Sequence, residues 1–379
     1  MKYRTNIRSG EQVSLLGFGM MRLPTIGGDL SKIDEKEAIS MLRYAIDSGV
    51  NYVDTAYAYH GGNSETVTGK ALKDGYREKV SVATKLPLWD AKKTSDLSEI
   101  FETQLKRLDM EYIDYYLVHS IEDELYETFK SLDVYDFVKK AKDSGKVKKI
   151  GFSYHGSTTK LFKELLDDYD WDFAQIQFNF MDENTQAGLE GLRYAGEKEV
   201  PVIIMEPLKG GLLSKKVPDS VKELYKTYPV KRSPAEWAFR WVAEYPEVLT
   251  ILSGMSTMTQ VEENIKILSA DDLGTFTDEE RDVIAKVISE YECKIKYACT
   301  GCKYCLPCQE GLDIPGMIEL VNNIGVYDCF EDSLIAYKGW VNPKSIKCSS
   351  CGKCLERCPQ KLKIPDIMAE CSALFDVVK

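Results

Sequence analysis

Up to about residue 290, short apolar runs alternate with longer stretches in which apolar residues recur every three or four positions. The short runs are rich in β-branched and aromatic residues, which favours β-strands. The longer stretches have the period of amphipathic helices. The predicted strands lie at residues 13–17, 52–54, 80–85, 113–119, 148–152, 173–178, 202–205 and 248–252. The predicted helices lie at residues 35–48, 97–108, 134–144, 158–166, 233–243 and 258–268.

Strands that alternate with helices predict βαβ units and a parallel sheet. Eight such strands agree with a (β/α)8 TIM barrel, which typically has about 250 residues. A doubly wound open sheet is the alternative, but the GxGxxG turn of that fold does not follow the first strand. The run Gly17-Phe18-Gly19 matches it too loosely. We therefore predict an α/β chain whose residues 1–291 form the barrel.

The pattern changes after residue 277. One further amphipathic helix is predicted at residues 278–291, and a cysteine-rich region with two short helical runs follows it. Each of these runs, at residues 316–323 and 366–374, comes directly after an Ile-Pro pair. We expect residues 292–379 to form a second domain that is small, mostly α-helical and ferredoxin-like.

Eight of the eleven cysteines stand in two ladders with a spacing of three residues. Three thiolates at this spacing, with a fourth after a slightly longer step and a proline, are typical of [4Fe–4S] ligation, and in two-cluster ferredoxins the fourth thiolate binds the other cluster. The second ladder has that longer step and Pro359; the first has neither. We predict two [4Fe–4S] clusters with crossed ligands. One set is Cys299, Cys302, Cys305 and Cys358, and the other is Cys348, Cys351, Cys354 and Cys308.

Zinc and disulfides are the alternatives for these cysteines. Four thiolates suit a tetrahedral zinc site, but such sites typically pair two CxxC knuckles across a longer loop. Disulfides are typical of small exported domains rather than of a chain of 379 residues. The remaining Cys293, Cys329 and Cys371 are expected to be small buried side chains.

The charge of the chain disfavours a nucleic-acid partner, because the net charge is −11 and the pI is about 5.1. No apolar run is long enough to span a bilayer, and the first thirty residues lack the apolar segment of a signal peptide. We therefore expect a cytoplasmic protein without a membrane partner.

Basic residues surround the second ladder, with Glu356 as the one acid among them. Such a patch predicts either a docking site for an acidic electron carrier or a solvated surface that offsets the charge of the clusters. The basic residues are Lys344, Lys347, Lys353, Arg357, Lys361 and Lys363.

Four ionisable residues are predicted to converge at the C-terminal ends of the barrel strands, where barrel enzymes place their chemistry. Asp54, Lys85 and His119 end three successive strands, and Tyr59 follows Asp54 by five residues. Reduction of a carbonyl by hydride builds negative charge on its oxygen, which then needs a proton. A free tyrosine has a pKa of about 10, and a nearby ammonium lowers it. Lys85 supplies that ammonium, Asp54 holds it, and His119 orients the oxygen or relays the proton.

Several motifs resemble those of the aldo-keto reductases over nearly all of residues 1–285. They are GFGMMRLP, DTAYAY, GGNSETVTGKAL, ATKLP, LVHS, IGFSYHG, QIQFNF, EPLKGGLL and VEENI. The resemblance implies Tyr59 as the general acid/base of a catalytic tetrad with Asp54, Lys85 and His119. It also implies a small carbonyl or alcohol substrate and an NADP(H) or NAD(H) cofactor. With its two ladders, the whole chain resembles the subgroup that has a C-terminal [4Fe–4S] ferredoxin-like domain.

The resemblance also implies a set of nucleotide contacts, with some departures from the family pattern. Met205 stands where an aromatic ring usually stacks on the nicotinamide, and Tyr154 stands where the family usually has Asn. Between Arg240 and Lys266 there is no Lys or Arg to pair with a 2′-phosphate, so Lys209 or Arg22 is the substitute and NAD remains open. The implied contacts are Met21, Ser153, Gln175, Met205, Leu208, Gly210, Leu213, Glu263 and Asn264.

Three functions follow from these patterns. The first is an oxidoreductase whose hydride chemistry at Tyr59 is coupled to electron transfer through the clusters. The second is an iron–sulfur electron-transfer or redox-sensing protein whose barrel binds nucleotide without turnover. In the third, the clusters only hold the C-terminal region in place. A nicotinamide transfers two electrons at once and a cluster one, so a flavin is a further candidate cofactor, although no flavin motif is readable.

Overall fold

The computed structural model of the protein describes residues 1–215 and 217–376. The chain divides into two compact units. The first comprises Met1–Lys209 and Glu236–Phe276, and the second comprises Gly210–Ala235 and Thr277–Lys379. The domain boundary at residue 292 stays a prediction, and the second unit begins before it and includes a segment from the middle of the chain.

A closed barrel of eight parallel strands forms the first unit. This confirms the predicted barrel and excludes the doubly wound open sheet. The strands of the chain are β1 (Tyr3–Thr5), β2 (Gln12–Ser14), β3 (Leu16–Gly19), β4 (Tyr52–Asp54), β5 (Ser81–Leu86), β6 (Ile113–Ile121), β7 (Val147–Tyr154), β8 (Phe173–Gln177), β9 (Val202–Met205) and β10 (Val248–Gly254). Around the barrel the strand order runs from β3 to β10, and β10 pairs with β3.

The first predicted strand is two strands in the structure. β2 pairs antiparallel with β1 in a small hairpin, whereas β3 joins the barrel, and Leu15 separates them. Every residue of β3 and β4 is buried, as expected for parallel strands covered on both faces. The break was missed because Val13, Leu15 and Leu16 form one mostly apolar run and both strands are buried there.

Helices lie between the barrel strands. All six predicted helices are present, with bounds within three residues of the prediction. Three further helices were not predicted: Asn63–Ala71, Asp123–Ser131 and Gly188–Glu197. The helices of this part of the chain are α1 (Glu35–Asp47), α2 (Asn63–Ala71), α3 (Thr94–Leu108), α4 (Asp123–Ser131), α5 (Val134–Asp143), α6 (Thr159–Asp168), α7 (Gly188–Glu197), α9 (Pro234–Ala243) and α10 (Met258–Ile267).

The second unit is helical. Its core includes the apolar faces of the two helices that begin at the Ile-Pro pairs, with Met317 and Ile318 from one and Ile367 and Met368 from the other. Six of the eight ladder cysteines belong to this core or pack against it: Cys354 lies within it, and Cys299, Cys305, Cys308, Cys348 and Cys358 lie against it. The helices are α8 (Asp219–Lys226), α11 (Asp278–Glu292), α12 (Ile314–Tyr327), α13 (Phe330–Ala336), α14 (Lys353–Arg357) and α15 (Ile364–Phe375).

Short 3-10 helices and one π-helix connect these elements. The 3-10 helix at Tyr59–Gly62 is the most relevant to the site, since it carries the candidate catalytic tyrosine. Within the described ranges, no helix combines the length and the apolar character that crossing a bilayer requires. The other short helices are Met20–Arg22, Arg77–Lys79, Leu88–Asp90, Lys209–Gly211 and the π-helix Tyr337–Val341.

Candidate active site

The barrel brings the four predicted catalytic side chains to one pole. Asp54 is the last residue of β4, Lys85 lies near the end of β5, and His119 lies near the end of β6. These strands are parallel neighbours, so their C-terminal ends meet at the same rim. Tyr59 begins the 3-10 helix in the loop after β4.

Lys85 and Asp54 form a buried ion pair. The Lys85 Nζ donates to both carboxylate oxygens of Asp54, at 2.7 and 2.8 Å, and to the carbonyl oxygen of Thr55 at 2.7 Å. The exposed fraction is 0% for Lys85 and 3% for Asp54. The same ammonium lies 4.8 Å from the centre of the Tyr59 ring. The pair therefore places a fixed positive charge beside the phenol.

Burial and charge act in opposite directions on this pair. Burial alone lowers the pKa of Lys85, but Asp54 and Tyr59 together outweigh it and raise that pKa above its ordinary value. Burial raises the pKa of Asp54, against the pull of Lys85. The Lys85 ammonium donates to both carboxylate oxygens of Asp54. We therefore assign the ionised state to both groups, which agrees with the raised pKa of Lys85.

The pKa of Tyr59 is raised rather than lowered. Burial among protein atoms is the largest cause, and the effect of Lys85, which lowers the pKa, only partly opposes it, while Asp54 adds to the rise. The sequence led us to expect a net decrease, because it reveals the ammonium but not the desolvation of the phenol. Tyr59 is therefore a protonated phenol at neutral pH.

His119 completes the group. Its ring lies 6.0 Å from the Tyr59 ring at an interplanar angle of 77°. Burial and, after it, the charge of Lys85 lower the pKa of His119 well below its ordinary value, so the imidazole is neutral. Its Nδ1 is buried and has no hydrogen-bond partner among the described residues. A neutral imidazole can orient a carbonyl oxygen without competing for its proton.

Trp89 is a further residue at this site that the sequence reasoning missed. It lies in the 3-10 helix Leu88–Asp90 after β5, and its ring is 4.9 Å from that of His119. The side chain is largely exposed. Its place in the loop directly after Lys85 was the signal that could have identified it, since such loops line barrel sites.

A buried polar network supports the loop that carries Tyr59, and the sequence reasoning missed it too. Glu65 accepts hydrogen bonds from Thr84 at 2.6 Å and Gln104 at 2.9 Å, and it pairs with Arg107 at 3.2 Å. Arg107 also donates to the Tyr57 carbonyl oxygen at 3.0 Å, and Gln104 donates to that of Lys85 at 2.9 Å. The network therefore ties the backbone on both sides of the ion pair.

Three of the predicted nicotinamide contacts come together on adjacent strands. Ser153 in β7 and Gln175 in β8 are direct register partners. The Ser153 Oγ accepts from the backbone N–H of Ser120 at 2.6 Å, and the Gln175 Nε2 lies 3.5 Å from the sulfur of Met205. The Gln175 Oε1 is buried and has no partner among the described residues. A carboxamide N–H would satisfy it, so these residues fit the nicotinamide.

The other predicted nucleotide contacts are more dispersed. Asn264 on α10 is buried and donates to the Ser253 Oγ at 3.0 Å, while its neighbour Glu263 is half-buried. Met21 is exposed beyond β3, and Leu208 is half-buried beyond β9. Gly210 and Leu213 belong to the second compact unit. Gly210 has a φ of +66°, a left-handed conformation that glycine adopts at little cost.

One of the two basic residues suggested for a 2′-phosphate is already engaged. The Lys209 Nζ binds both carboxylate oxygens of Asp182, at 2.7 and 2.8 Å. The other, Arg22, is exposed at the end of β3, where its side chain lies against Gly254 at the end of β10. Arg22 is thus the better placed of the two to pair with a phosphate.

The cysteine ladders line two cavities in the second unit, in nearly the predicted crossed sets. One cavity is bordered by Cys348, Cys351, Cys354 and Cys308, together with Cys305. The other is bordered by Cys299, Cys302, Cys305 and Cys358. Cys305 therefore faces both. The fourth thiol of each ladder therefore borders the same cavity as the first three thiols of the other ladder. Crossed ligation of two clusters stays a prediction.

None of the eleven cysteines forms a disulfide in this structure. In residues 1–215 and 217–376, no three His, Cys, Asp or Glu side chains are grouped closely enough to hold a metal ion. Of the three cysteines outside the ladders, Cys329 and Cys371 are buried as expected, but Cys293 is exposed. Cys293 follows the last residue of α11, which explains its exposure.

Replacing Lys85 with Met is expected to destabilise the fold by about 3–5 kcal/mol, because it leaves the carboxylate of Asp54 buried without its partner. Urea unfolding of the variant and the parent chain measures this. Lys70→Met is the matched control, since Lys70 pairs with Glu35 in an exposed ion pair, which contributes only about 0–1 kcal/mol. Equal losses in the two variants would contradict the assignment.

Acid is expected to destabilise the fold through His155, whose pKa burial lowers to about 4. An unfolded histidine binds its proton below a pH of about 6.5. The unfolded state therefore holds the extra proton between pH 6.5 and 4, and stability is lost as the pH falls through that window. Urea unfolding at pH 7.5 and 5 should show a smaller loss for His155→Gln than for the parent chain. An equal loss of stability in His155→Gln and the parent chain would show that His155 is not its cause.

Comparisons with known proteins agree with this geometry. A model of the aldo/keto reductase family matches residues 15–288. The uncharacterized oxidoreductase YqkF of Bacillus subtilis (strain 168) is 27% identical over 302 residues, which cover 71% of this chain and 92% of that protein. The probable aldo-keto reductase 1 of Glycine max is 38% identical over 154 residues, but these cover only 38% of this chain and 42% of that protein.

Solved structures are similar over about three quarters of the chain. The aldo-keto reductase AKR11C1 from Bacillus halodurans (holo form) has a TM-score of 0.62 and 28% identity, covering 76% of this chain and 96% of that one. An aldo-keto reductase from Klebsiella pneumoniae in complex with NADPH has a TM-score of 0.59 with the same coverage; at 22% identity it shows the fold alone. Since the family model covers more than half of the chain, this protein belongs to the aldo/keto reductase family and is an oxidoreductase.

Proposed function

We propose that the protein is an NAD(P)-dependent oxidoreductase that interconverts a carbonyl and an alcohol on a small molecule, with Tyr59 as the general acid/base. One observation carries this proposal. The Lys85–Asp54 ion pair is buried beside the Tyr59 ring, with a neutral His119 next to it. Such a constellation is suited to protonating an oxygen on which negative charge develops.

The four residues have different roles in the proposed reaction. A bound nicotinamide supplies or takes up the hydride. Tyr59 donates its phenolic proton to the carbonyl oxygen, and Lys85 stabilises the phenolate that remains. Asp54 fixes the ammonium in place, and His119 orients the oxygen. In the oxidation direction, the Tyr59 phenolate accepts the proton of the alcohol instead.

The nicotinamide is expected to lie against Ser153 and Gln175, because the buried Oε1 of Gln175 is an acceptor without a partner. NAD(H) and NADP(H) are both kept as candidate cofactors. Lys209 is bound to Asp182, which leaves Arg22 as the candidate partner for a 2′-phosphate. Substituting Arg22 with Ala should therefore raise the Kd for NADPH and leave that for NADH unchanged if the protein uses NADP(H).

We further propose that the chain belongs to the subgroup with a C-terminal iron–sulfur domain, with the barrel at residues 1–291 and a ferredoxin-like domain at 292–379. The two cavities support this, because each is bordered by four thiols of the predicted crossed set. Bound [4Fe–4S] clusters would move electrons one at a time. A loosely held flavin is the proposed converter between these single electrons and the electron pairs of the barrel.

Anaerobic purification followed by iron and sulfide analysis tests the clusters, and about eight of each per chain are expected. Zinc without sulfide would overturn this part of the proposal. Titration with NADH and NADPH, with and without added flavin, then identifies the nucleotide that bleaches the cluster absorbance. Nucleotide binding without oxidation by any of a broad panel of carbonyls would overturn the enzymatic proposal and favour a redox sensor.

A further inference from the structure

We propose that the surface around the second cysteine ladder docks a small acidic protein that carries single electrons. The inference rests on the proposed clusters and identifies their partner. The surface, here termed the basic patch, is defined by six side chains. They are Lys344, Lys347, Lys353, Arg357, Lys361 and Lys363.

Charge is concentrated in this part of the chain. Residues 339–363 contain these six cations and one acid, Glu356, which gives the segment a net charge of +5. The whole chain has a net charge of −11, so all its other residues together carry −16. A segment of opposite sign on a strongly acidic protein orients an acidic partner towards one region and repels it from the rest.

The six cations are free to meet a partner. All of them are exposed, and none forms an ion pair with a described residue. Two cations elsewhere in the same unit are paired with acids: Lys294 pairs with Glu290 at 3.2 Å, and Lys296 pairs with Glu370 at 2.7 Å. Six exposed cations without an ion-pair partner among the described residues leave the positive charge of this segment available to an acidic partner.

Two large apolar side chains are exposed within the same segment. Trp340 is 70% exposed, and Leu355, which lies in α14 between Lys353 and Arg357, is 44% exposed. Trp and Arg are enriched at protein-binding surfaces, in which apolar contacts hold the partner and charges orient it. This mixture favours a folded protein over a polyanion that would use the cations alone.

The basic patch also lies where electrons would enter or leave. Lys353 borders the cavity that is lined by Cys348, Cys351, Cys354 and Cys308. Cys351 is exposed, so a cluster held there would be close to the surface. The electron carrier would then approach the second cluster while its acidic groups contact the patch.

Charge reversal tests this proposal on the cluster-loaded full chain. The variant combines Lys353→Glu, Arg357→Glu and Lys361→Glu. Its matched control combines Lys36→Glu, Lys92→Glu and Lys106→Glu, which make the same charge change at exposed barrel positions. The probe is a purified plant-type [2Fe–2S] ferredoxin with an acidic surface, and its Kd is measured by calorimetry at low and high salt.

We expect the patch variant to bind the ferredoxin at least tenfold more weakly than the control, and salt to remove most of the difference. In the patch variant, reduction of the clusters by reduced ferredoxin should slow by a similar factor. The rate of NAD(P)H-dependent carbonyl reduction should stay unchanged. Equal Kd values for the two variants would overturn the proposal. So would tighter binding of an RNA oligonucleotide or of phosphatidylglycerol vesicles than of ferredoxin to the parent chain.

Iron and sulfide analysis of each preparation separates this inference from the function on which it rests. A chain that binds no iron or sulfide overturns the proposed clusters and the docking role together. A chain with full clusters and equal Kd values overturns the docking role alone. Retained clusters in the patch variant show that its weaker binding does not come from a damaged domain.

Discussion

Replacing Tyr59 with Phe is expected to lower kcat for carbonyl reduction by about 10²–10⁴-fold, the usual contribution of a positioned general acid. The change removes only the hydroxyl, so the ring keeps its place beside Lys85 and His119. The Kd for the nucleotide and the cluster absorbance should stay unchanged. Steady-state kinetics, with nucleotide binding followed by fluorescence, measures both quantities.

Tyr57→Phe is the matched control for this variant. Tyr57 lies in the same loop, and its ring lies over Arg107 at 4.2 Å rather than beside the ion pair. Its kcat should remain close to that of the parent chain. Full activity in Tyr59→Phe, or an equal loss in both variants, would refute the assigned general acid.

The raised pKa of Tyr59 fixes the direction of the pH profile. Reduction needs the protonated phenol, so its rate should persist into alkaline pH and fall only as the pH passes that raised pKa. Oxidation of the alcohol needs the phenolate and should accelerate over the same range. An acidic optimum for oxidation would be inconsistent with this assignment.

Removing the fourth thiol of a ladder is expected to cost the cluster of the other ladder. Cys308→Ala and Cys358→Ala should each lower the iron content from about eight to about four per chain. Combining Cys308→Ala with Cys351→Ala should leave the iron content at about four per chain, since both thiols line the same cavity. Combining Cys308→Ala with Cys302→Ala should remove both clusters. Iron and sulfide analysis after anaerobic purification measures each case.

The double variants distinguish crossed from uncrossed ligation. If each ladder held its own cluster, Cys308→Ala with Cys302→Ala would still retain about four irons, and the pair with Cys351→Ala would retain none. Cys293→Ala is the control, because this exposed thiol borders neither of the two cavities. It should retain the full iron content.

The barrel was predictable because each strand is a short apolar run flanked by an amphipathic helix. The prediction missed helices in which apolar and polar positions do not alternate clearly. α2 was missed because it packs through small residues; at Gly69 a Cβ would lie 2.3 Å from the carbonyl oxygen of Leu108 on the neighbouring helix. Close packing of this kind leaves little hydrophobic periodicity in the sequence.

The site was predictable as residue types but not as an electrostatic environment. The sequence identified the ammonium and the phenol, whereas the burial that raises the pKa of Tyr59 depends on surrounding atoms that no motif specifies. Glu65 and Trp89 were missed for a related reason, since a single Glu or Trp carries no spacing signal. The crossed thiol sets stay a prediction made from the spacing of the ladder cysteines, and in the structure each set borders one cavity.

The segment Gly210–Ala235 shares a compact unit with the C-terminal region, and this limits how the chain can be shortened. α8 packs against α11, and Arg232 forms a buried ion pair with Glu280. A fragment that stops at Phe276 would deprive α8 of its neighbour and Arg232 of its counter-charge. A minimal catalytic fragment would therefore have to continue through Glu292.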